Sequence, residues 1–178
     1  RAGLLQSAEQ ILSQIDTNAG NSEDKLQKRA GKAIDSGLPG QAAELFTRSF
    51  DKNYGGFGSA PKFPTPHNLI FLMLYSGIGL DDKWYQVEKT LEQMRRGGIF
   101  DHIGYGFSRY STDRFYLVPH FEKMLYDNAL LMIAYAAAFK ISKENMFLDT
   151  AEKTAEYILR EMTGPDGEFY SAQDADSE

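Results

Sequence analysis

The richest group of side chains able to exchange protons lies between residues 120 and 128. Its members are His120, Glu122, Lys123, Tyr126, Asp127 and Asn128. An acid and an imidazole in a partly dry site acquire shifted pKa values and can pass protons to and from a sugar. We predict catalytic roles for His120, Glu122 and Asp127. Tyr126 and Asn128 are predicted to bind the substrate.

The same residues have a structural alternative. A helix is predicted over residues 121–139, which places His120, Lys123 and Asp127 on one face by their spacing. In the alternative, His120 caps carbonyl groups, while Asp127 and Asn128 tie down neighbouring loops. Glu122 would then simply occupy the favourable N-terminal end of the helix. The sequence leaves both interpretations open.

Asp101 and His102 form a second acid–base pair, placed after a Gly-Gly turn in the loop over residues 97–119. We predict that both are catalytic and project into the mouth of a site, although Asp101 is also suited to bond its own backbone in a turn. Further along the loop, Arg109 and Tyr110 are predicted to hold the hydroxyls or carboxylate of a ligand. The alternative for this second group is a loop salt bridge of little energetic value.

Three carboxylates alternate at Asp174, Asp176 and Glu178. This spacing resembles the start of a calcium loop, but the sequence ends before the positions of the glycine and the bidentate Glu, so metal binding is the minority interpretation and no metal site is predicted. Asp174 is predicted to bind substrate, because a carboxylate at the mouth of a helical barrel could serve as a glycosidase-like acid. The alternative is that these carboxylates cap a loop.

The helices that must position these groups are predicted to be of two alternating kinds. Residues 69–75 and 121–139 are mostly apolar on all sides, which predicts buried helices. Over residues 82–94 and 145–162 the apolar side chains form one stripe opposite a charged face, which predicts peripheral helices. Alternation of buried and peripheral helices is typical of an (α/α) toroid, in which inner helices surround an axis and outer helices surround them.

Three further signals mark helix positions. Thr65 is predicted to cap the first buried helix and Pro66 to occupy its first position. Asp81 is predicted to cap the helix that follows. Before them, a short helix over residues 41–50 is predicted to bury large apolar side chains, among them Leu45.

A turn with glycine ahead of an aromatic residue recurs at residues 55–57, 98–100 and 167–169. Recurrence at this scale predicts a repeat of helical hairpins with loops of variable length. The three loops that contain these turns should emerge at the same end and line one mouth, with a short hairpin within the second. Phe57 and Phe63 are expected to plug the end of the core.

Composition excludes several classes of function. The net charge is −6 and the acids are spread along the chain, so no nucleic-acid groove is expected. The chain has no cysteine, which excludes disulfides, thiol catalysis and cysteine-ligated zinc. The longest apolar run, residues 129–139, is too short to cross a bilayer, and residues 1–14 lack a signal peptide, so a cytoplasmic location is expected. No nucleotide-binding glycine motif is present, and no cofactor is predicted.

Five stretches together are specific enough to indicate a family. They are YGGFGSAPKFP at 54–64, DHIG at 101–104, FSRYSTD at 107–113, LVPHFEKMLYDN at 117–128 and FYSAQDADSE at 169–178. On these motifs, the chain from about residue 41 onward resembles the YyaL-type, thioredoxin-domain-containing proteins of the spermatogenesis-associated family.

The resemblance implies a fold and a set of partners. In this family a thioredoxin-like domain precedes an (α/α)6 toroid similar to six-hairpin glycosidases and N-acylglucosamine 2-epimerases. Residues 1–37 are then the helix and linker after a missing thioredoxin-like domain, and residues 38–178 the first half of the toroid. A half toroid should expose apolar side chains such as Leu130, Leu131 and Ile133 and should self-associate.

The functional implication is open between two classes. One is a carbohydrate-active domain, an isomerase, epimerase or hydrolase of a sugar ligand, with His and carboxylate side chains as acid and base. This rests on the analogy of fold rather than on a known reaction. The other is a non-catalytic module that binds a protein or ligand and is coupled to the thioredoxin-like domain.

Overall fold

The computed structural model describes residues 36–77 and 82–176. The predicted cap Asp81, the residue Glu178 and the predicted N-terminal helix lie outside these ranges. Five helices lie within them: α1 (Leu38–Ser49), α2 (Pro66–Ser76), α3 (Asp82–Arg96), α4 (Leu125–Ser142) and α5 (Asn145–Glu161). The described residues also form four two-residue strands, three between α3 and α4 and one after α5: β1 (Tyr110–Ser111), β2 (Pro119–His120), β3 (Lys123–Met124) and β4 (Ala172–Gln173).

The described residues from Pro39 onward form one compact unit in which the helices pack as neighbouring hairpins. Helix α4 packs along α5, and α2 contacts both α3 and α4. The apolar stripe of α3 is buried as predicted, through Trp84, Val87, Leu91 and Met94. The Tyr135 hydroxyl of α4 donates to the Leu91 carbonyl at 2.8 Å. Inner helices α2 and α4 thus lie side by side, with α3 and α5 against them.

The first two helices are less buried than predicted. Leu45 of α1 is exposed, because α1 contacts its neighbours mainly through Phe46, whose ring packs on Phe57 and Phe71. Helix α2 buries Leu69, Leu72 and Met73, but Leu74 is 78% exposed on the face that α3 and α4 do not cover. The prediction that α2 is enclosed on all sides is therefore wrong for this chain.

The start of α2 agrees with the sequence only in part. Pro66 occupies the first helical position, as predicted. Thr65 precedes it with a left-handed backbone (φ 41°), and in the described part of the chain its side chain makes no capping hydrogen bond. A β-region backbone is what normally allows a cap residue to reach the helical N–H groups, so the predicted threonine cap is wrong.

The largest correction concerns the start of α4, which begins at Leu125 and not at residue 121. The residues before it are extended because their backbone groups bond neighbouring loops. The Arg109 N–H donates to the Glu122 carbonyl at 2.7 Å, and the Leu125 N–H donates to the Ser171 carbonyl at 3.0 Å. His120 lies in β2 and Lys123 in β3, so these two residues and Asp127 do not share a helical face.

The loops that follow α1, α3 and α5 share one arrangement. Each is closed by an isolated antiparallel bridge, at Phe50–Phe57, Phe100–Phe107 and Thr163–Phe169. The first loop is joined to the second by the bridge between Lys62 and Ser111, and the second to the third by the β3–β4 pair. The predicted repeat and the shared position of the loops are thus confirmed, and β1 and β2 form the predicted short hairpin.

A buried ion pair holds the first loop. Asp51 accepts hydrogen bonds from two backbone N–H groups of its own turn, and its Oδ2 accepts from Lys62 Nζ at 2.8 Å. Lys62 Nζ also donates to the Gly55 carbonyl. Arg114, from the second loop, donates to both carboxylate oxygens at 2.7 and 3.0 Å. Both members of the Asp51–Lys62 pair are buried and hold the first loop together. The contact from Arg114 to Asp51 fixes this loop against the second.

None of the described helices combines the length and the apolar character that crossing a membrane would require.

Candidate functional site

An arginine–glutamate pair forms the centre of the candidate site. Arg109 Nη1 donates to Glu122 Oε2 at 2.8 Å, and the backbones of the two residues are also bonded. Arg109 immediately precedes β1, and Glu122 lies between β2 and β3. With Asp174, which follows β4, they line an open cavity of about 280 Å³. Strand pairing thus brings together three of the residues predicted from the sequence.

Asp127 is a buried carboxyl in the first turn of α4, only 8% exposed. Burial raises the pKa of Asp127 to about 6, while the charge of Arg109 and a hydrogen bond from Tyr126 act in the opposite direction. Tyr126 itself is exposed. A carboxyl with this pKa changes its protonation near neutral pH, which is the property that a general acid or base requires.

Tyr110 and His120 occupy partner positions in the β1–β2 register. Their rings stack at a centroid distance of 4.8 Å and an interplanar angle of 11°. His120 Nδ1 is 3.9 Å from Glu122 Oε2, and it has no hydrogen-bond partner within residues 36–77 and 82–176. The imidazole therefore lies at the edge of the Arg109–Glu122 pair with one ring nitrogen unused.

Asp101 has a position equivalent to that of Asp51. It accepts hydrogen bonds from two backbone N–H groups of its own turn, and from Lys123 Nζ at 2.8 Å. Lys123 also donates to the Tyr105 carbonyl, just as Lys62 in the first loop donates to the Gly55 carbonyl. Burial alone would raise the pKa of Asp101, but these hydrogen bonds outweigh it and hold the pKa below its ordinary value. Asp101 therefore makes the contacts of a residue that stabilises its own turn, which is the alternative role considered for it in the sequence.

His102 is held by one contact within its own loop and one with the end of α3. Its Nε2 is 3.1 Å from the Gly97 carbonyl, and its Nδ1 is 3.1 Å from Arg95 Nη1. Asp101 and His102 line a second cavity of about 380 Å³, together with Phe121 and other residues. The structure therefore places Asp101 and His102 in one cavity and Glu122 in another, while the predicted catalytic residues His120 and Asp127 line neither of these two cavities.

Asn128 is fully buried and its side-chain amide is used by backbone groups. Its Oδ1 accepts from the Phe107 N–H at 2.7 Å, and its Nδ2 donates to the carbonyls of Phe107 and Met124 at 3.0 and 2.9 Å. These hydrogen bonds join α4 to the second loop, and they use the amide group that the sequence assigned to substrate binding.

The carboxylates near the end of the chain do not form a cluster in the described part. Asp174 Oδ1 accepts a hydrogen bond from the Ala175 N–H. Within residues 36–77 and 82–176, no three His, Asp or Glu side chains lie close enough to hold one metal ion.

Phe57 and Phe63, which the sequence treated alike, lie in different surroundings. Phe57 packs on Phe46 and Phe50, as expected of a ring that plugs the core. Phe63 is 46% exposed, and its ring lies against that of Tyr110, so the same expectation is wrong for Phe63. The bridge between residues 62 and 111, which places it there, joins residues far apart in sequence and has no local sequence signal.

The fold places the chain in the class of six-hairpin (α/α) toroid proteins. A sugar epimerase from a ruminal bacterium matches with a TM-score of 0.63 and 19% identity, over 75% of this chain and 37% of that one. Cellobiose 2-epimerase of Bacillus thermoamylovorans gives 0.64 and 16% identity, over 74% and 37%. An unsaturated glucuronyl hydrolase specific for heparin gives 0.62 and 16% identity, over 78% and 42%. The predicted fold class is confirmed.

Sequence similarity shows the relatives of the chain, although no protein-family model matches it. Spermatogenesis-associated protein 20 of Rattus norvegicus and of Homo sapiens are each 46% identical over 155 residues, covering 80% of this chain and 20% of those proteins. An uncharacterised protein of Caenorhabditis elegans is 36% identical over 188 residues, or 94% and 26%. The chain is thus similar to spermatogenesis-associated protein 20 over most of its own length, which confirms the resemblance predicted from its motifs. It spans about a fifth of the length of the mammalian relatives.

Proposed function

We propose that this toroid binds a sugar and catalyses a proton transfer on it, as an isomerase, epimerase or hydrolase. The observation that carries the proposal is Asp127, a buried carboxyl whose pKa lies near 6 beside the charge of Arg109. A carboxyl that titrates near neutral pH in a partly dry site is suited to general acid–base catalysis.

The neighbouring groups have complementary roles in this proposal. Glu122 and Asp174 accept hydrogen bonds from sugar hydroxyls, and Arg109, held by Glu122, donates to them. His120, whose Nδ1 is buried beside Glu122 with no hydrogen-bond partner among the described residues, is the second candidate acid or base. Solved structures of the same fold are named as sugar epimerases and a glucuronyl hydrolase, which supports a sugar as the class of ligand by analogy of fold.

The second candidate function is a non-catalytic module that binds a protein or ligand and is coupled to a thioredoxin-like domain in a longer, cytoplasmic protein. It is favoured by the internal pairing of three predicted site residues. Asp101 is bonded to Lys123, His102 to Gly97 and Asn128 to backbone groups. Polar side chains that are paired within the protein in this way need no ligand to satisfy their hydrogen bonds.

Replacement of His120 separates the two candidates. We expect His120→Ala to weaken sugar binding about tenfold, because a hydrogen bond to a polar ligand contributes roughly 1.4 kcal/mol. Titration calorimetry of neutral sugars measures the affinity, and thermal unfolding measures stability in parallel. His67→Ala is the matched control, since His67 is an exposed histidine of α2 outside the site. Unchanged affinity with lowered stability would favour the non-catalytic module.

The exposed apolar surface supports a further proposal about partners. Ile133 of α4 and Leu74 of α2 are exposed, whereas Leu131, which we expected to be exposed, is fully buried. The chain covers 37% of the length of the epimerase neighbours, so we propose that further hairpins of a longer protein cover these side chains. The 178-residue chain made alone should then self-associate. A monomer in sedimentation velocity at all concentrations would contradict this.

A further inference from the structure

A second cavity lies on the opposite face of the extended segment that carries Glu122. Successive side chains of an extended chain point to alternate faces. Glu122 lines the cavity of the candidate site, whereas its two neighbours, Phe121 and Lys123, line the cavity of about 380 Å³. In the adjacent segment, Arg109 lines the first cavity and Ser108 lines the second. The larger cavity is therefore separate from the candidate site.

The walls of this larger cavity are mainly apolar and include aromatic rings. Phe121 is 66% exposed and Ile103 is 93% exposed, so both lie where the cavity opens to solvent. Phe100 is buried, and its ring meets that of His102 edge-on at a centroid distance of 5.3 Å. Sites for small molecules commonly have such walls, with a few polar groups that fix the orientation of the ligand. The walls therefore suit a flat apolar ring.

Four side chains of the lining are polar, and three of these are already paired within the protein. Lys123 Nζ lies 2.8 Å from Asp101 Oδ2, so the two charges balance each other. His102 uses both ring nitrogens, one with the Gly97 carbonyl and one with Arg95. Among the described residues that line the cavity, no charge is left without a partner. A charged ligand is therefore not favoured.

Ser108 is the fourth polar side chain, and its hydroxyl is unpaired. The residue is only 3% exposed. Its backbone N–H donates to the Ile99 carbonyl at 2.9 Å, but its hydroxyl makes no hydrogen bond to any residue of the described ranges 36–77 and 82–176. Leaving a buried hydroxyl without a partner costs free energy. A ligand that bonds this hydroxyl removes that cost.

We propose that the larger cavity binds a small, uncharged aromatic molecule that carries one hydroxyl group. The ring of the ligand packs on Phe121, and its hydroxyl forms a hydrogen bond with Ser108. A sugar does not suit this cavity, because most of its hydroxyls would face apolar walls without a partner. The site is therefore independent of the sugar-binding function proposed for the cavity at Arg109 and Glu122.

Phenol and benzene are matched probes, because they share one ring and differ only in the hydroxyl group. Titration of the intact protein, followed by NMR of its isoleucine methyl groups, measures affinity and also locates the ligand, since Ile103 lies at the opening. We expect phenol to bind about fivefold more tightly than benzene, the factor that one hydrogen bond contributes. Ser108→Ala should remove this preference and change benzene affinity less than about twofold.

Ser76→Ala is the matched control, because the Ser76 hydroxyl donates to the Met73 carbonyl at the end of α2, outside the cavity. It should leave the preference for phenol unchanged, and thermal unfolding checks that each variant is folded. Equal affinities for the two probes, a preference that survives Ser108→Ala, or saturation without a shift of the Ile103 methyl signals would overturn the proposal. Binding of neither probe would also overturn it. So would glucose that shifts the same methyl signals, because the cavity would then be a sugar site.

Discussion

Replacing Asp51 with asparagine is expected to lower the free energy of unfolding by about 3 to 5 kcal/mol, the usual cost of breaking a buried ion pair. Lys62 would be left buried with no carboxylate to balance its ammonium group. Arg114 would lose its charged partner in the same change, and with it the contact that joins the first two loops. Urea denaturation followed by circular dichroism measures the effect.

Asp101→Asn is the control for this prediction, since it makes the same change in the equivalent position of the next loop. The Asp101 side chain is 36% exposed and its pair with Lys123 is only partly buried. Water therefore screens the charges, and we expect a loss of about 1 kcal/mol. Equal losses in the two variants would show that burial does not determine the strength of this repeated contact.

The same ion pair predicts how stability depends on pH. Burial by itself would raise the pKa of Asp51, but hydrogen bonds from Arg114 and Lys62 outweigh it and hold the pKa well below its usual range. A carboxyl whose pKa is lowered by folding stabilises the protein above its unfolded pKa of about 3.9. This contribution is lost as the pH falls below that value, and Asp51→Asn should therefore be less sensitive to acid than the parent protein.

The helices could be predicted from the sequence because their signals are local. The buried stripe of α3 and the outer helix α5 follow from spacing alone. The start of α4 could not be predicted, because residues 120–124 are held extended by hydrogen bonds to segments far away in the chain, such as Arg109 and Ser171. A run of apolar and charged residues ahead of a helix does not reveal such pairing.

The types of residue in the candidate site could be predicted from the sequence. Which of them lie together in space could be predicted only in part. Arg109, Glu122 and Asp174 come together because the β1–β2 pair closes the second loop on itself and the β3–β4 pair joins it to the third loop. The equivalence of Asp51 and Asp101 has a sequence signal, since each follows a phenylalanine and precedes a Gly-Phe pair by a few residues. That repeat indicates a turn function for Asp101. The burial that shifts the pKa of Asp127 depends on the packed structure and has no such signal.

Replacing Asp127 with asparagine is expected to lower the rate of the proposed proton transfer by about 10² to 10⁴-fold, the usual contribution of a general acid or base. Burial raises the pKa of Asp127 to about 6 in the folded protein, against about 3.9 when unfolded. The folded state therefore holds more protons between these values, and the stability of the parent protein falls as the pH rises from about 4 to 6. The asparagine variant lacks this titration.

The two measurements together distinguish a catalytic from a structural Asp127. Because a buried carboxylate costs free energy above its pKa, Asp127→Asn should be more stable than the parent at pH 8, by about 2 to 3 kcal/mol. Asp166→Asn, an exposed turn position, is the control and should change neither rate nor pH dependence. A less stable variant at pH 8 would show that the carboxylate holds the fold together. A gain in stability with a loss of activity is expected of a residue kept for chemistry, because active sites retain groups that folding alone would not favour.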